Sequence, residues 1–199
     1  QKKIIPEKLF RKWSNNSNSF QYLGVHYVDL IYFMTKFNPV KVWAWGQKGY
    51  LTKKRINTWD SVQATIEWRK GSKIFHSYII TSWIDPNNSS ATSDQKINIV
   101  GEKSRFFSDQ KNRGIFIVSD KDNPNHLNPY FTNLNYGTNY FFDGYGVRNI
   151  KNFIKESKST NHKNYNQLNS TFFDSLISTK VIEAVNKSLK KNGQIVQIR

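Results

Sequence analysis

The chain has 199 residues, with 30 Lys and Arg against 14 Asp and Glu, a formal net charge of +16. That length can bury a core, and 37% hydrophobic with 15% aromatic residues argues against disorder. The absence of cysteine excludes a disulfide framework, a thiolate zinc site and a cysteine nucleophile, and no apolar run approaches the ~18 residues of a membrane span. The first residues do not read as a signal peptide, and Gln1 in place of methionine suggests a fragment or a processed product.

In chain order, residues 1–13 are basic, with Leu9, Phe10 and Trp13 as anchors, and predict a short helix after Pro6. Residues 14–19 are a Ser/Asn loop. Residues 20–36 predict a helix that is apolar almost all round and hence buried. Its polar exceptions, His26 and Asp29, share a face that Tyr22 and Phe33 extend. A buried imidazole and carboxylate need partners; spacing alone fits a capping or core pair as well as a binding site. If His26 lines a pocket, the preceding loop with Asn16, and Arg11 or Trp13, form its rim.

Pro39 ends the helix. Residues 40–45 alternate as a strand, Gly46 and Gly49 suggest a turn or bulge, and residues 50–60, carrying Lys53-Lys54-Arg55, read as loop or edge strand. Residues 62–69 and 73–84 predict a long antiparallel hairpin turning at Lys70-Gly71-Ser72. A polar loop over 85–94 precedes a second hairpin, 96–100 with 103–107, and a strand over 113–119. Residues 120–138 read as loop or insertion, 138–142 as a strand, 144–154 as a short helix and 155–170 as a polar linker. Thr171 with Asp174 forms a near capping box opening the last helix, which carries an apolar stripe through Ile177, Val181, Val185 and Leu189 and stops at Gly193. Residues 194–198 return as a strand. Helix, strands, helix and strand make an α+β chain: an open, largely antiparallel sheet with helices on one face. Its other face would present aromatics such as Trp43, Trp45, Trp83 or Phe75, an apolar surface that is usually covered.

Gly24-x-His26-x-x-Asp29-Leu30 resembles the motif that opens the C-terminal domain of the Gfo/Idh/MocA family, NAD(P)-dependent sugar and polyol oxidoreductases, where the pattern is close to Asp-x-Gly-x-His-x-x-Asp. Asn38-Pro39-Val40-Lys41-Val42 after the helix, and Thr171 to Ile198 with Glu183-Ala184 and Ser188, are similar to the family's later segments. The resemblance spans roughly residues 11–198. It implies a glyceraldehyde-3-phosphate-dehydrogenase-like C-terminal fold. Residues 1–199 would be one substrate-binding and oligomerisation domain, with the N-terminal Rossmann domain absent from this chain. It further implies NAD or NADP in the full-length protein and none bound to this chain. The substrate would be a sugar, sugar nucleotide or polyol, the basic charge favouring an anionic one. A homo-oligomer through the open sheet face, a cytoplasmic location and no membrane partner also follow. His26 would be the general acid/base, since alcohol–ketone interconversion moves a proton and histidine titrates in range. Tyr22 stands where the family has an aspartate; its hydroxyl could serve the substrate, but it brings no negative charge to orient the histidine. Asp29, Arg11, Trp13 and Asn16 are the candidate substrate contacts, and for Asp29 a helix-dipole role fits as well.

Gly144-Tyr145-Gly146-Val147-Arg148-Asn149 approaches a dinucleotide fingerprint but has Asn149 where a third glycine belongs and no βαβ unit around it. His76, His126 and His162 lie apart, without ligand spacing. Two alternatives compete with the oxidoreductase reading. One is a basic nucleic-acid-binding module, which the charge permits and no recognition motif supports. The other is a non-catalytic scaffold that kept the fold and lost the relay at Tyr22.

Overall fold

A computed structural model describes residues 1–89, 91–111, 114–122, 125–127, 132–135, 141–144, 146–158 and 171–199, with 125–127, 132–135 and 141–144 described by backbone alone. A wide π-helical turn, Ile5–Leu9, leads into the short α1 (Arg11–Ser14), and a second, Phe20–Gly24, runs into α2 (Val25–Thr35). Then follow β1 (Asn38–Gln47), α3 (Tyr50–Lys53), β2 (Ser61–Lys70), β3 (Lys73–Ser82), β4 (Lys96–Val100), β5 (Ser104–Asp109) and β6 (Gly114–Ser119). The chain continues through β7 (Asn125–Leu127), β8 (Thr132–Asn135), β9 (Phe141–Gly144), α4 (Val147–Ser157), α5 (Phe172–Lys190) and β10 (Val196–Gln197).

Two compact units result, residues 1–93 with 170–199, and residues 94–169. The first is an antiparallel sheet in the order β10-β1-β2-β3, with α5 against β1 and α2 against α5. The period-two alternation explains it: Val62, Ala64, Ile66 and Trp68 of β2 turn into the core with Val42 and Ala44 of β1, beneath Val181, Val185 and Leu189 of α5. The hairpin turns at Gly71, whose φ of 59° suits a residue without Cβ. Thr171 and Asp174 form the full capping box of α5, and its hydrogen bonds to Thr171 hold the Asp174 carboxyl below its usual value. At the other end Gly193 closes the helix with φ 82°, where a Cβ would meet the Trp45 indole at 2.4 Å. Ser188 Oγ, fully buried, accepts from the Ala44 N–H at 2.9 Å and donates to Gln194 C=O at 2.7 Å, tying α5 to β1.

Helices on one face of an open antiparallel sheet agree with the predicted α+β class, and several local expectations are corrected. α2 is not buried all round: Val28 is its buried residue, while Phe33 and Met34 are exposed. One helix laid against one layer buries one stripe, so its outer apolar residues stay out. Residues 50–53 are a helical turn, not an edge strand. The buried Asp60 carboxylate accepts from the N–H groups of Tyr50 (2.7 Å) and Leu51 (2.8 Å), a long-range cap that local pattern does not reveal. Trp83 and Phe75 are not on the open sheet face. Phe75 stacks on Trp68 at 5.9 Å on the core side, and Trp83 is fully buried in a second cluster with Leu51 and Ile56. Trp43 and Trp45 do lie on the open face, in register with Thr65 and Gln63 of β2.

The second unit pairs β4-β5-β6-β7 in an antiparallel sheet and β8 with β9 in a separate ribbon. The hairpin expected over 96–107 and the strand over 113–119 are present as β4, β5 and β6. Residues 120–138, read as loop, contain β7 and β8 among their described residues; the 138–142 strand appears as β9 from residue 141, its first residues lying outside the described set. Most of the 155–170 linker also lies outside, after α4 has continued to Ser157.

On the open face of the first sheet, Glu67 exposes 7% of its side chain and faces Lys41 Nζ (2.9 Å), Arg69 Nη2 (3.2 Å) and His76 Nε2 (3.4 Å). Lys41 first, then Arg69 and His76, hold its carboxyl below the ordinary 4.5. A depressed carboxylate stabilises the fold above its unfolded value, and that contribution drains as pH falls through the depressed one. Glu67→Gln is therefore expected to lower stability in urea melts at neutral pH and to flatten the acid-side loss between about pH 5 and pH 3; wild-type and variant curves that stay parallel would contradict this.

Candidate functional site

The polar stripe begins in the π-helical turn before α2. Val25 N–H reaches back five residues to Phe20 C=O, a widening of the helix that recurs where helices carry function. The buried Phe20 ring lies over Gly24, where a Cβ would sit 2.8 Å from Phe20 Cγ and Cδ2. This contact needs glycine for space, since Gly24 has ordinary helical angles (φ −62°). With Phe20, Gly24 and Val28 facing inward, His26 and Asp29 face outward on the first two turns of α2, and both are exposed. His26 is thus neither sealed in the core nor paired to a carboxylate among the described residues.

Tyr22 is elsewhere in role. Its ring sits among Phe10 (5.1 Å), Trp13 (5.8 Å) and Trp83 (6.2 Å), and Trp13 also meets Phe10 at 4.7 Å and Trp83 edge-on at 6.3 Å. Edge and tilted geometries of this kind add to simple burial. An aspartate at position 22 would put a carboxylate against these rings, an expensive placement; tyrosine fits the cluster the chain has built. Trp83 Nε1 is buried there without a hydrogen-bond partner among the described residues. Arg11 donates to Lys54 C=O at 3.2 Å, which holds it beside the end of α3. Nearby, the Tyr50 hydroxyl donates to Glu7 Oε1 at 2.5 Å; that bond, with desolvation, pushes the phenol above its ordinary value and fastens the first π-helical turn to α3.

Asn16 belongs to a third place, a recess of about 300 Å³ that it lines with Lys48, Trp59, Asn186 and Lys190. Of the six sequence candidates, then, Tyr22 and Trp13 are brought into ring contact, His26 and Asp29 share the outer face of α2, and Arg11 and Asn16 go to separate neighbours. Trp83 and, apart from Asn16, the recess residues were not singled out as site residues from the sequence; only the tertiary fold brings positions 48, 57–59 and 186–190 to the 15–18 loop. No three His, Asp or Glu side chains converge as metal ligands among the described residues.

Nor do the described residues build a dinucleotide site. Every strand pair is antiparallel, whereas the dinucleotide fold requires a parallel βαβ unit. Gly144 ends β9 and Gly146 precedes α4, but among the described residues β9 pairs only with β8, and antiparallel.

A tyrosine packed for stability and a histidine held in solvent should respond differently to truncation. Tyr22→Ala is expected to lose about 3 kcal/mol of unfolding free energy, while His26→Ala stays within about 0.5 kcal/mol of wild type; equal losses in chemical denaturation would contradict the placement of both.

No protein-family model matches the chain, and no curated protein matches it by sequence. Solved structures do match by fold. An oxidoreductase from Thermotoga maritima aligns with TM-score 0.68 and 14% identity, over 91% of this chain and 47% of its own. An inositol dehydrogenase homolog from Azotobacter vinelandii, complexed with NADH and myo-inositol, aligns with TM-score 0.63 and 13% identity, over 95% and 52%. UDP-N-acetylglucosamine 3-dehydrogenase from Acidithiobacillus ferrooxidans aligns with TM-score 0.61 and 14% identity, over 92% and 50%. The chain spans about half the length of each of these structures. Its fold is that of a domain of Gfo/Idh/MocA-type oxidoreductases.

Proposed function

We propose that this chain is the substrate-binding and oligomerising domain of an NAD(P)-dependent oxidoreductase acting on the hydroxyl or ketone of a sugar, sugar nucleotide or polyol. The observation that carries the reading is the exposed His26–Asp29 pair at the start of α2, on a fold shared with sugar and polyol dehydrogenases. Because the described residues do not fit a dinucleotide, NAD or NADP would be held by a Rossmann domain outside these 199 residues, as in the resemblance, and nothing in this chain is assigned to it.

Within the chain, His26 is the group suited to exchange the proton of a substrate hydroxyl. Asp29, one turn on, could accept hydrogen bonds from neighbouring hydroxyls. The exposed Trp13 ring, backed by Phe10, Tyr22 and the buried Trp83, presents an apolar surface suited to the C–H face of a sugar. With Tyr22 committed to that surface, His26 lacks the orienting carboxylate of the family, which is also what favours the second reading, a scaffold that retains the fold without turnover. We assign the open sheet face, where Tyr78 is 77% and Ile80 74% exposed, to self-association, since apolar patches of this kind are usually covered. A cytoplasmic location fits a chain without cysteine. No helix among the described residues is long and apolar enough to cross a membrane.

The test is the full-length polypeptide assayed for nicotinamide reduction across a panel of sugars, sugar nucleotides and polyols. Turnover that falls about 100-fold or more in His26→Ala is the expected result. Turnover indifferent to His26, or sugar binding without any turnover, would contradict it, the latter in favour of the scaffold.

A further inference from the structure

The recess lined by Asn16 has a composition that points to its occupant. It is bounded by the 15–18 loop, by Lys48 and residues 57–59, and by the last turns of α5. Four of the six carboxamides around it have their orientation set by the chain itself. Asn15 must turn its oxygen to the backbone N–H of Asn57, at 2.7 Å. Asn18 must turn its oxygen to the Gln21 N–H, at 2.9 Å, so its NH2 points to Asn186, whose oxygen accepts at 2.8 Å. Asn57 must turn its oxygen to the Lys48 ammonium, at 3.0 Å. The acceptors of Asn15, Asn57 and Asn186 are thus engaged by the protein, and their NH2 groups are left as donors. Lys48 and Lys190 add two ammonium groups, and among the described residues no carboxylate lines the recess.

A neutral sugar hydroxyl both donates and accepts and needs acceptors in its site. A wall that turns the NH2 groups of Asn15, Asn57 and Asn186 and two ammonium groups toward its ligand suits one that only accepts, an oxyanion. Lys48 is also held rather than loose. Its Nζ sits 4.8 Å from the Trp59 ring centroid, and that indole lies on β1 where a Cβ on Gly46 would approach it to 2.5 Å. Fixing a lysine in advance removes part of the entropy cost of using it. The C-terminal end of α5 would repel an anion through its dipole. Its last carbonyls, however, already accept from Lys191 and Gly193 N–H groups at 3.1 and 3.0 Å, and Lys190 offsets the rest.

We propose that this recess binds the phosphate group of a small phosphorylated metabolite, held among Lys48, Lys190 and the NH2 groups of Asn57 and Asn186. The inference does not rest on the oxidoreductase reading, because His26, Tyr22 and Asp29 do not line the recess.

Calorimetric titration of the 199-residue chain tests it, with a hexose 6-phosphate, inorganic phosphate, the free hexose and an oligothymidylate as probes. The hexose phosphate is expected to saturate one site, inorganic phosphate to compete for it, and the free hexose to leave no signal. Lys48→Gln and, independently, Asn57→Asp should each weaken binding about tenfold or more, Lys48→Arg should retain it, and Lys73→Gln at the start of β3 should not change it, with melting temperatures unchanged throughout. Absence of saturable binding, equal binding of the free hexose, or an equal loss in Lys73→Gln would overturn the site. Displacement of the hexose phosphate by a tighter-binding oligothymidylate would overturn it in favour of nucleic acid.

Discussion

The contact between the Phe20 ring and the bare Cα of Gly24 governs the rest of the first unit. It is made within a π-helical turn, so one extra residue is taken up just before α2 begins. That residue sets the rotation of the helix. Val28 then drops onto the sheet and α5, and His26 with Asp29 turns away from them. A glycine that sequence inspection takes for part of a site motif is therefore a packing residue first. Its bearing on the proposed site is indirect: it decides which side of α2 the imidazole is on.

The same unit shows how strongly one face of a sheet organises a chain. Val62, Ala64, Ile66 and Trp68 point inward and form the base on which α5 lies. The alternate residues of β2 are Gln63, Thr65, Glu67 and Arg69, so the outward side could not serve as a second core. Trp43, Trp45, Tyr78 and Ile80 make that side apolar around the charged group of Lys41, Glu67, Arg69 and His76. Burial of Glu67 is tolerated because the cationic Lys41 and Arg69 and the His76 imidazole reach it at once.

Legibility followed the range of the forces involved. The β2–β3 hairpin and the stripe on α5 could be read because period-two and period-3.6 patterns are local, and so is the Thr171–Asp174 capping box. What escaped inspection was set by residues far apart in sequence. Residues 50–53 became helical because Asp60 caps them. Trp83 left the sheet face because Tyr22 and Trp13 receive it. Phe75 turned inward because its register places it beside Trp68. Among the candidate residues, the shared face of His26 and Asp29 could be read, but not that Tyr22 faces other rings. The Asn16 recess depends on the 15–18 loop, Lys48, residues 57–59 and the end of α5 converging, and only their individual polarity was visible. The paucity of acidic residues, 14 against 30 basic, is the one compositional hint of its donor-rich wall.

The most direct test of this account is a double-mutant cycle between positions 20 and 24, read by chemical denaturation. If the Phe20 ring is what requires glycine, Gly24→Ala should be costly in the wild-type background and markedly cheaper once Phe20→Leu has made room, with a coupling energy of about 1 kcal/mol or more. Strict additivity of the two changes would mean that the ring and the glycine do not meet as described, and the outward placement of His26 would lose its physical cause.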